Sequence, residues 1–254
     1  MEVHAHTHSP RKKFTHYLWE FLMLFLAVFC GFLAENQREH LIEHQREKQF
    51  MISLLQDLRH DTAAFSSNLQ AWGYFYANID SQFITIQPPF QSFKTEPAYY
   101  RAALMYSFSE FNYNDRTIEQ LRNSGNFRLI REKIVVDSLV DYDNIIRNQL
   151  RNQESVARNE MMTVLNQQND LFNSKHVDEY AKGLYSPAKI PLQQLYRVEN
   201  KPELLFRYYN QLYKYGWIAK VLIIENQKLK DQATGLIRLV KKEYHLSEGT
   251  SLGE

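Results

Sequence analysis

Phe21-Leu-Met-Leu-Phe-Leu-Ala-Val-Phe-Cys-Gly-Phe-Leu33 decides how this chain is read. Nine of its thirteen residues are Leu, Phe or Val, and none is charged. Wound into a helix, the run is apolar on every side. Such a helix needs either protein core or lipid around it. Extended outward it covers 17–34, where Glu20 is the only ionisable residue besides the terminal Tyr17. Eighteen residues at ~1.5 Å each reach about 27 Å, enough for the hydrocarbon layer of a bilayer. Tyr17 and Trp19 stand at one end, where amphipathic rings prefer the headgroup level. Each central Leu, Phe or Val contributes roughly −0.3 to −0.6 kcal/mol to insertion. Together they offset Glu20, whose end position keeps its cost below the ~2.5 kcal/mol of a mid-span acid. The expectation is one transmembrane helix over 17–34.

Two rivals share parts of this pattern. Arg11-Lys12-Lys13 ahead of an apolar run also fits a cleaved signal peptide, but a small-x-small cleavage site is missing: Gly31-Phe-Leu-Ala34 has the wrong spacing. Lipidation at Cys30 is opposed by the bulky Phe29 before it. For orientation, Arg11, Lys12 and Lys13 cluster on the N-terminal side. Arg38, Arg46 and Lys48 are dispersed on the other. The positive-inside rule then places the N-terminus in the cytoplasm and the large C-terminal domain outside, in a bacterium the periplasm.

The remaining 220 or so residues are ample for one domain with its own core. The formal net charge of +1 implies neither a nucleic-acid partner nor an acidic tail. Cys30 is the sole cysteine, so the domain has no disulfide. Gly is sparse, at eight residues, and long periodic stretches favour helix. Residues 1–16 read as a flexible tail, 17–34 as the membrane helix, 35–49 as a charged juxtamembrane helix, 50–246 as a helical domain and 247–254 as a mobile tail. In 35–49 no Pro or Gly interrupts the chain, and Glu35, Glu39, Glu43 and Glu47 recur every fourth residue. Next, Met51, Leu55, Leu58, Thr62, Phe65, Leu69 and Trp72 recur at four-three spacing, a core-facing seam that predicts helix to about Gly73. Residues 74–100 read mainly as loop, with Ile84-Thr-Ile86 as an alternative short strand and Pro88, Pro89 and Pro97 as breakers. Further helices are expected from Pro97 to about Phe111, from Thr117 to Asn123 behind an Asp115-Arg-Thr117 cap, and from Asn126 to about Asn173, a stretch long enough for two helices although no Pro or Gly marks a break. A connection over 183–202 precedes a last helix from Pro202 to about His245, with Pro202 in its first turn. The fold class expected is all-α, one transmembrane helix continuing into a soluble helical bundle.

Two segments carry a family resemblance. One is Glu20 to Gln37, an anchor with an early acid. The other is Thr117 to Arg131, with Leu121-x-x-Ser-Gly-x-x-Arg-Leu-Ile130, followed by Asp137-Ser-Leu-Val-Asp-Tyr142. Both resemble uncharacterised single-pass membrane proteins of Bacteroidota-type bacteria. The resemblance covers about the first 145 residues and implies the same architecture in a bacterial inner membrane. It implies no activity and no catalytic residues.

Candidate sites are suggested by residue type and spacing. His40-Leu-Ile-Glu43-His44 matches the inverted zinc-protease motif, in which histidines four apart share a helix face and Glu acts as base. This makes a membrane-tethered zinc hydrolase an alternative function, though the segment is charged and lacks the apolar neighbours of a dry cleft. His4, His6 and His8 alternate and would point one way in an extended chain. Glu20 is an intramembrane carboxylate suited to a partner's Lys or Arg, or to the headgroups. Ala27, Cys30, Gly31 and Ala34 form a small-residue stripe of the kind along which membrane helices approach. Asn123-Ser-Gly-Asn126 between two helices suggests a cytoplasmic helix-turn-helix reader of DNA using Arg122, Arg128 and Arg131. Its simpler reading is a corner with Gly125 at positive φ and Ser124 or Asn126 capping the next helix. The reading favoured is a non-enzymatic scaffold or sensor that binds the membrane and either another protein or itself, without nucleic acid and without a cofactor.

Overall fold

The structure is a computed structural model, and it describes residues 14–90, 95–185 and 201–246. Among these it is all-α: α1 (Phe14–Thr85), α2 (Thr95–Leu104), α3 (Arg116–Asn123), a 3-10 turn (Asn126–Leu129), α4 (Lys133–Asn144), a π segment (Ile145–Leu150), α5 (Arg151–Leu171), α6 (Ser174–Tyr185) and α7 (Pro202–Glu243). The chain divides into two compact units, Met1–Gln49 and Phe50–Glu254.

In the first unit, every described residue from Phe14 to Leu41 is exposed. An 18-residue window there has a mean hydropathy of 2.0, and none of it is buried. This helix is long and apolar enough to cross a membrane.

In the second unit, α1 presents a strict heptad. Met51, Leu58, Phe65, Trp72 and Ile79 occupy one row of buried positions seven apart, which Ile86, just past the helix, continues. The companion row is Leu54, Asp61, Asn68, Phe75 and Gln82, of which only Phe75 is half-buried. The α7 helix answers with Leu205, Leu212, Ala219, Asn226, Ala233 and Val240 in one row and Tyr208, Tyr215, Leu222, Leu229 and Leu236 in the other. Alternating steps of three and four residues keep one seam facing a neighbouring helix. The two helices run antiparallel. Asn68 donates to Asn226 at 2.8 Å, and Phe83 stacks on Tyr209 at 4.1 Å. Between these, a Cβ on Gly216 would lie 3.3 Å from Ile79. The α5 helix is also antiparallel to α7, through Glu160–Lys214 (2.6 Å) and Gln168–Tyr208 (2.9 Å). Between α4 and α5 the buried positions step by four three times, Tyr142, Ile146, Leu150 and Glu154. The wider π turns absorb that drift.

The helix boundaries correct the sequence reading in four places. α1 does not stop at Gly73 but continues to Thr85, so 74–85 is neither loop nor strand. Gly73 faces solvent in a helical conformation, a local cost of ~1 kcal/mol that the packing of Trp72, Ile79 and Gln82 overrides. The seam itself turns by one residue at two places: Asp61 and Asn68 are buried where the spacing predicts Thr62 and Leu69. α2 ends at Leu104, not Phe111. The expected long helix from Asn126 starts only at Lys133, and α6 forms separately after it.

Candidate functional site

Residues 105–115 carry little regular structure, yet they run along the buried face of α1. Backbone groups taken from water without partners cost free energy. Here the polar side chains of α1 supply the partners, one after another. Just ahead of the strap, Gln82 donates to the carbonyl of Ala98 (3.2 Å) and Asn78 to that of Arg101 (3.2 Å), both carbonyls in α2. Trp72 donates its indole N–H to the carbonyl of Ser109 (3.1 Å), and Asn68 accepts from the Ser109 hydroxyl. Glu154 of α5 accepts from the Phe111 N–H (2.6 Å). Asp61 accepts from the Asn114 N–H (2.9 Å), and Asp57 from the Thr117 N–H (2.8 Å) and hydroxyl. The strap thus substitutes for a fourth helix, held by side chains instead of a backbone ladder. Phe111 seals it, stacked 3.7 Å from Phe65.

Asp57 also settles how α3 begins. Asp115 stands at the expected cap position but makes no capping bond. The first turn of α3 is capped across the bundle by Asp57, whose other oxygen binds Arg116 at 2.8 Å. Asp115 instead pairs with Arg147 (2.7 Å). Arg147 further binds Glu119 (2.7 Å) and Asp143 (2.8 Å). Asp143 is buried and also receives Arg122 and the Tyr113 hydroxyl (2.9 Å).

Asp61 differs from these acids. It is 1% exposed, and its partners are the Asn114 N–H and the Tyr142 hydroxyl (2.8 Å), with no cation in contact among the described residues. Burial pushes its carboxyl up to about 7; the two hydrogen bonds oppose the rise, and the nearby charges of Asp57 and Asp115 add to it. Burial likewise raises the Tyr142 and Tyr113 phenols, reinforced by the adjoining carboxylates, so both stay neutral. Burial raises Glu154 as well, against the pull of the Phe111 N–H and Arg151. The cavity beside Asp57 and Asp61 holds about 10 Å³, room for about one water and not for an organic substrate.

Two larger depressions lie elsewhere in this unit. One, of about 240 Å³, runs between α1 and α7 and is lined by Tyr76, Ile79, Phe83, Tyr213, Trp217 and Lys220, among others. The other, of about 340 Å³, lies between α2 and α6 beside Leu104, Tyr106, Val177 and Asp178.

The residues singled out from sequence are dispersed. Ala27, Cys30, Gly31 and Ala34 share one exposed side of α1, and a Cβ on Gly31 would meet nothing. Phe21, Phe25 and Phe29 stack along the opposite side at 6.3 and 5.9 Å. Glu20 lies 3.1 Å from His16. In the HxxEH segment, His40 Nδ1 is 4.0 Å from Glu43, while His44 faces Glu47 at 3.4 Å. Among the described residues, no group of three or more His, Cys, Asp and Glu is placed to hold a metal ion. His4, His6 and His8 fall outside the described residues. At the corner, Gly125 has φ +67, as its position requires. Neither Ser124 nor Asn126 caps the 3-10 turn that comes next; Ser124 Oγ donates back to the Gln120 carbonyl (2.6 Å). Arg122 is committed to Glu119 and Asp143, and Arg128 is exposed.

The buried acids and amides escaped sequence reasoning because polar residues weaken the apolar pattern that marks a seam. The signal that finds them is the seven-residue register itself: Asp61, Asn68 and Gln82 sit in step with Leu54. No protein-family model, no curated protein and no solved structure matches this chain.

Proposed function

We propose that this chain is a single-pass membrane protein of a bacterial inner membrane, with a helical domain in the periplasm that acts without catalysis by binding a partner protein or a second copy of itself. The observation that carries the anchoring is the exposure of the whole apolar run. Phe21, Met23, Leu24, Val28 and Phe32 are each more than 60% exposed. A contiguous apolar surface of that extent is not sustained in water, and lipid is the solvent that suits it on every side. The non-enzymatic reading rests on how the acids of the second unit are used. Asp57, Asp61, Asp143 and Glu154 hold the protein's own backbone, hydroxyls and cations, and the space beside Asp57 and Asp61 is too small for an organic substrate.

Fractionation tests the anchor. The full-length chain is expected in the membrane pellet after lysis and ultracentrifugation, released by detergent but not by high salt. Recovery in the supernatant without detergent ends the anchoring reading. Disulfide crosslinking at Cys30 in native membranes, with affinity purification, tests the rest. A crosslinked dimer or a stoichiometric co-purifying protein is expected, and a monomer with no companion counts against it. A C-terminal reporter active only outside the cytoplasm checks sidedness.

A further inference from the structure

The acids of the strap region are matched with cations except for one. Asp57 has Arg116, and Asp115 has Arg147. Asp143 has Arg122 and Arg147, and Glu154 has Arg151 at 3.2 Å. Among the described residues Asp61 has only neutral donors, although it sits at the centre of the group. From its own helix Asp57 faces it, one turn away, already bound to Arg116 and Thr117. From the strap come the Asn114 N–H, the Tyr113 ring and Asp115, whose charge is taken by Arg147. From α4 come the Tyr142 hydroxyl and Asp143, both engaged. An ionised carboxylate at this point is desolvated, has no cation of its own, and adds a like charge to an acidic cluster. Desolvation and like charge both disfavour ionisation. Once protonated, the carboxyl still accepts the Asn114 N–H on one oxygen and meets Tyr142 on the other.

We propose that Asp61 is a proton-operated latch for the strap: with its carboxyl protonated, residues 105–115 and the first turn of α3 are held against α1, and ionisation loosens them. The latch has leverage because its bond to Asn114 lies between the α1 bonds that hold the rest of the strap, Asn68–Ser109 on one side and Asp57–Thr117 on the other. This device is independent of membrane anchoring. Its sign comes from linkage. A carboxyl raised from an ordinary 3.8 to about 7 stabilises the closed strap fully below the lower value. That contribution is lost as pH rises to the upper one.

Amide hydrogen exchange on the full-length chain in detergent is the test, with rates corrected for intrinsic base catalysis. Protection of the Asn114 and Thr117 amides is expected to fall about tenfold from pH 6 to pH 8. Asp61→Asn keeps an acceptor for Asn114 and a donor for Tyr142 without the charge, so its protection should not change over that interval. Wild-type protection that does not depend on pH, or an Asp61→Asn variant with the same dependence as wild type, overturns the latch. Should Asp61→Asn fail to fold, isotope-edited infrared titration of the Asp carboxyls in the wild-type chain decides. A band titrating near pH 7 supports the proposal, and full ionisation by pH 5 overturns it.

Discussion

Along α1 the stretches 14–41 and 51–85 are built by different rules. In the first, large apolar side chains stand exposed: Leu24 is 70% and Phe21 is 65% accessible. In the second, polar side chains disappear: Asp61 is 1% and Gln82 is 0% accessible. Within one helix, hydropathy by itself does not set burial. The difference teaches that what surrounds a residue sets its burial. Nothing described packs on the apolar stretch, so composition alone governs what it needs. The second stretch packs against a strap with unpaired backbone groups, and these demand polar partners from the seam.

The largest effect expected from this contrast is at Trp72. It is fully buried and bonds the Ser109 carbonyl. Trp72→Ala should remove about 3–5 kcal/mol from the unfolding free energy of the domain, measured by denaturant titration in detergent. Phe25→Ala removes a ring from the exposed stretch and should leave the same transition within ~0.5 kcal/mol. A comparable loss at Phe25 would make the apolar run a core element and erase the distinction between the stretches.

Asp57 offers a sharper comparison, against another acid. Asp57→Ala strips partners from the Thr117 N–H, the Thr117 hydroxyl and Arg116, and is expected to cost about 2–3 kcal/mol. Asp115→Ala changes the residue that local pattern names as the cap, and should cost under ~1 kcal/mol, since Asp115 is half-exposed and its ion pair is with Arg147, itself part-exposed. Equal losses would mean that α3 is capped locally after all.

How far the sequence could be read divides along the same line. The apolar run, the all-α class, α3 and α7 were legible because each announces itself locally: by uniform hydropathy, by Gly125 after Asn123, and by Pro202 at a first turn. The extent of α1 was not, because Gly73 argues for a break that the seven-residue register overrides, the helix stopping only at Thr85, ahead of Pro88 and Pro89. The strap was not legible either. Apolar residues such as Met105, Phe108 and Phe111 read as one more amphipathic helix, whereas the polar seam of α1 stabilises an irregular path. Asp57, Asp61 and Asn68 are separated in sequence by 41 to 158 residues from the groups they serve, and no local pattern carries that information. The motif at His40, Glu43 and His44 shows the converse. Its spacing is legible, yet among the described residues it brings together no group of three or more ligands.

Asn68 and Asn226 test whether the polar seam fixes register. Each is buried, and the pair joins α1 to α7. Asn68→Leu should cost about 1–3 kcal/mol by leaving Asn226 without its partner. The double change Asn68→Leu, Asn226→Leu should recover most of that loss, with the half-buried Ser109 hydroxyl turning to water. What the double variant loses is uniqueness, visible as broadened or doubled amide signals, because a buried polar pair in a heptad seam is the kind of feature that selects one alignment. A double variant as destabilised as the single one would show that the pair contributes energy and not only alignment.

The smallest effect separates two glycines. Gly73 lies on α1 facing solvent, and a Cβ there would meet nothing within 4 Å. Gly73→Ala should stabilise the domain by ~0.5–1 kcal/mol through helix propensity alone. Gly216 lies in the α7 seam, where a Cβ would stand 3.3 Å from Cγ2 of Ile79. The same propensity gain then competes with displacement of a buried side chain, so Gly216→Ala should be neutral or destabilising. The two substitutions share their chemistry and their helical setting. Any difference between their unfolding midpoints therefore measures how closely α1 and α7 approach. If Gly216→Ala stabilised as much as Gly73→Ala, the two helices would have room to spare at that level, and the tight seam drawn between them would be wrong there.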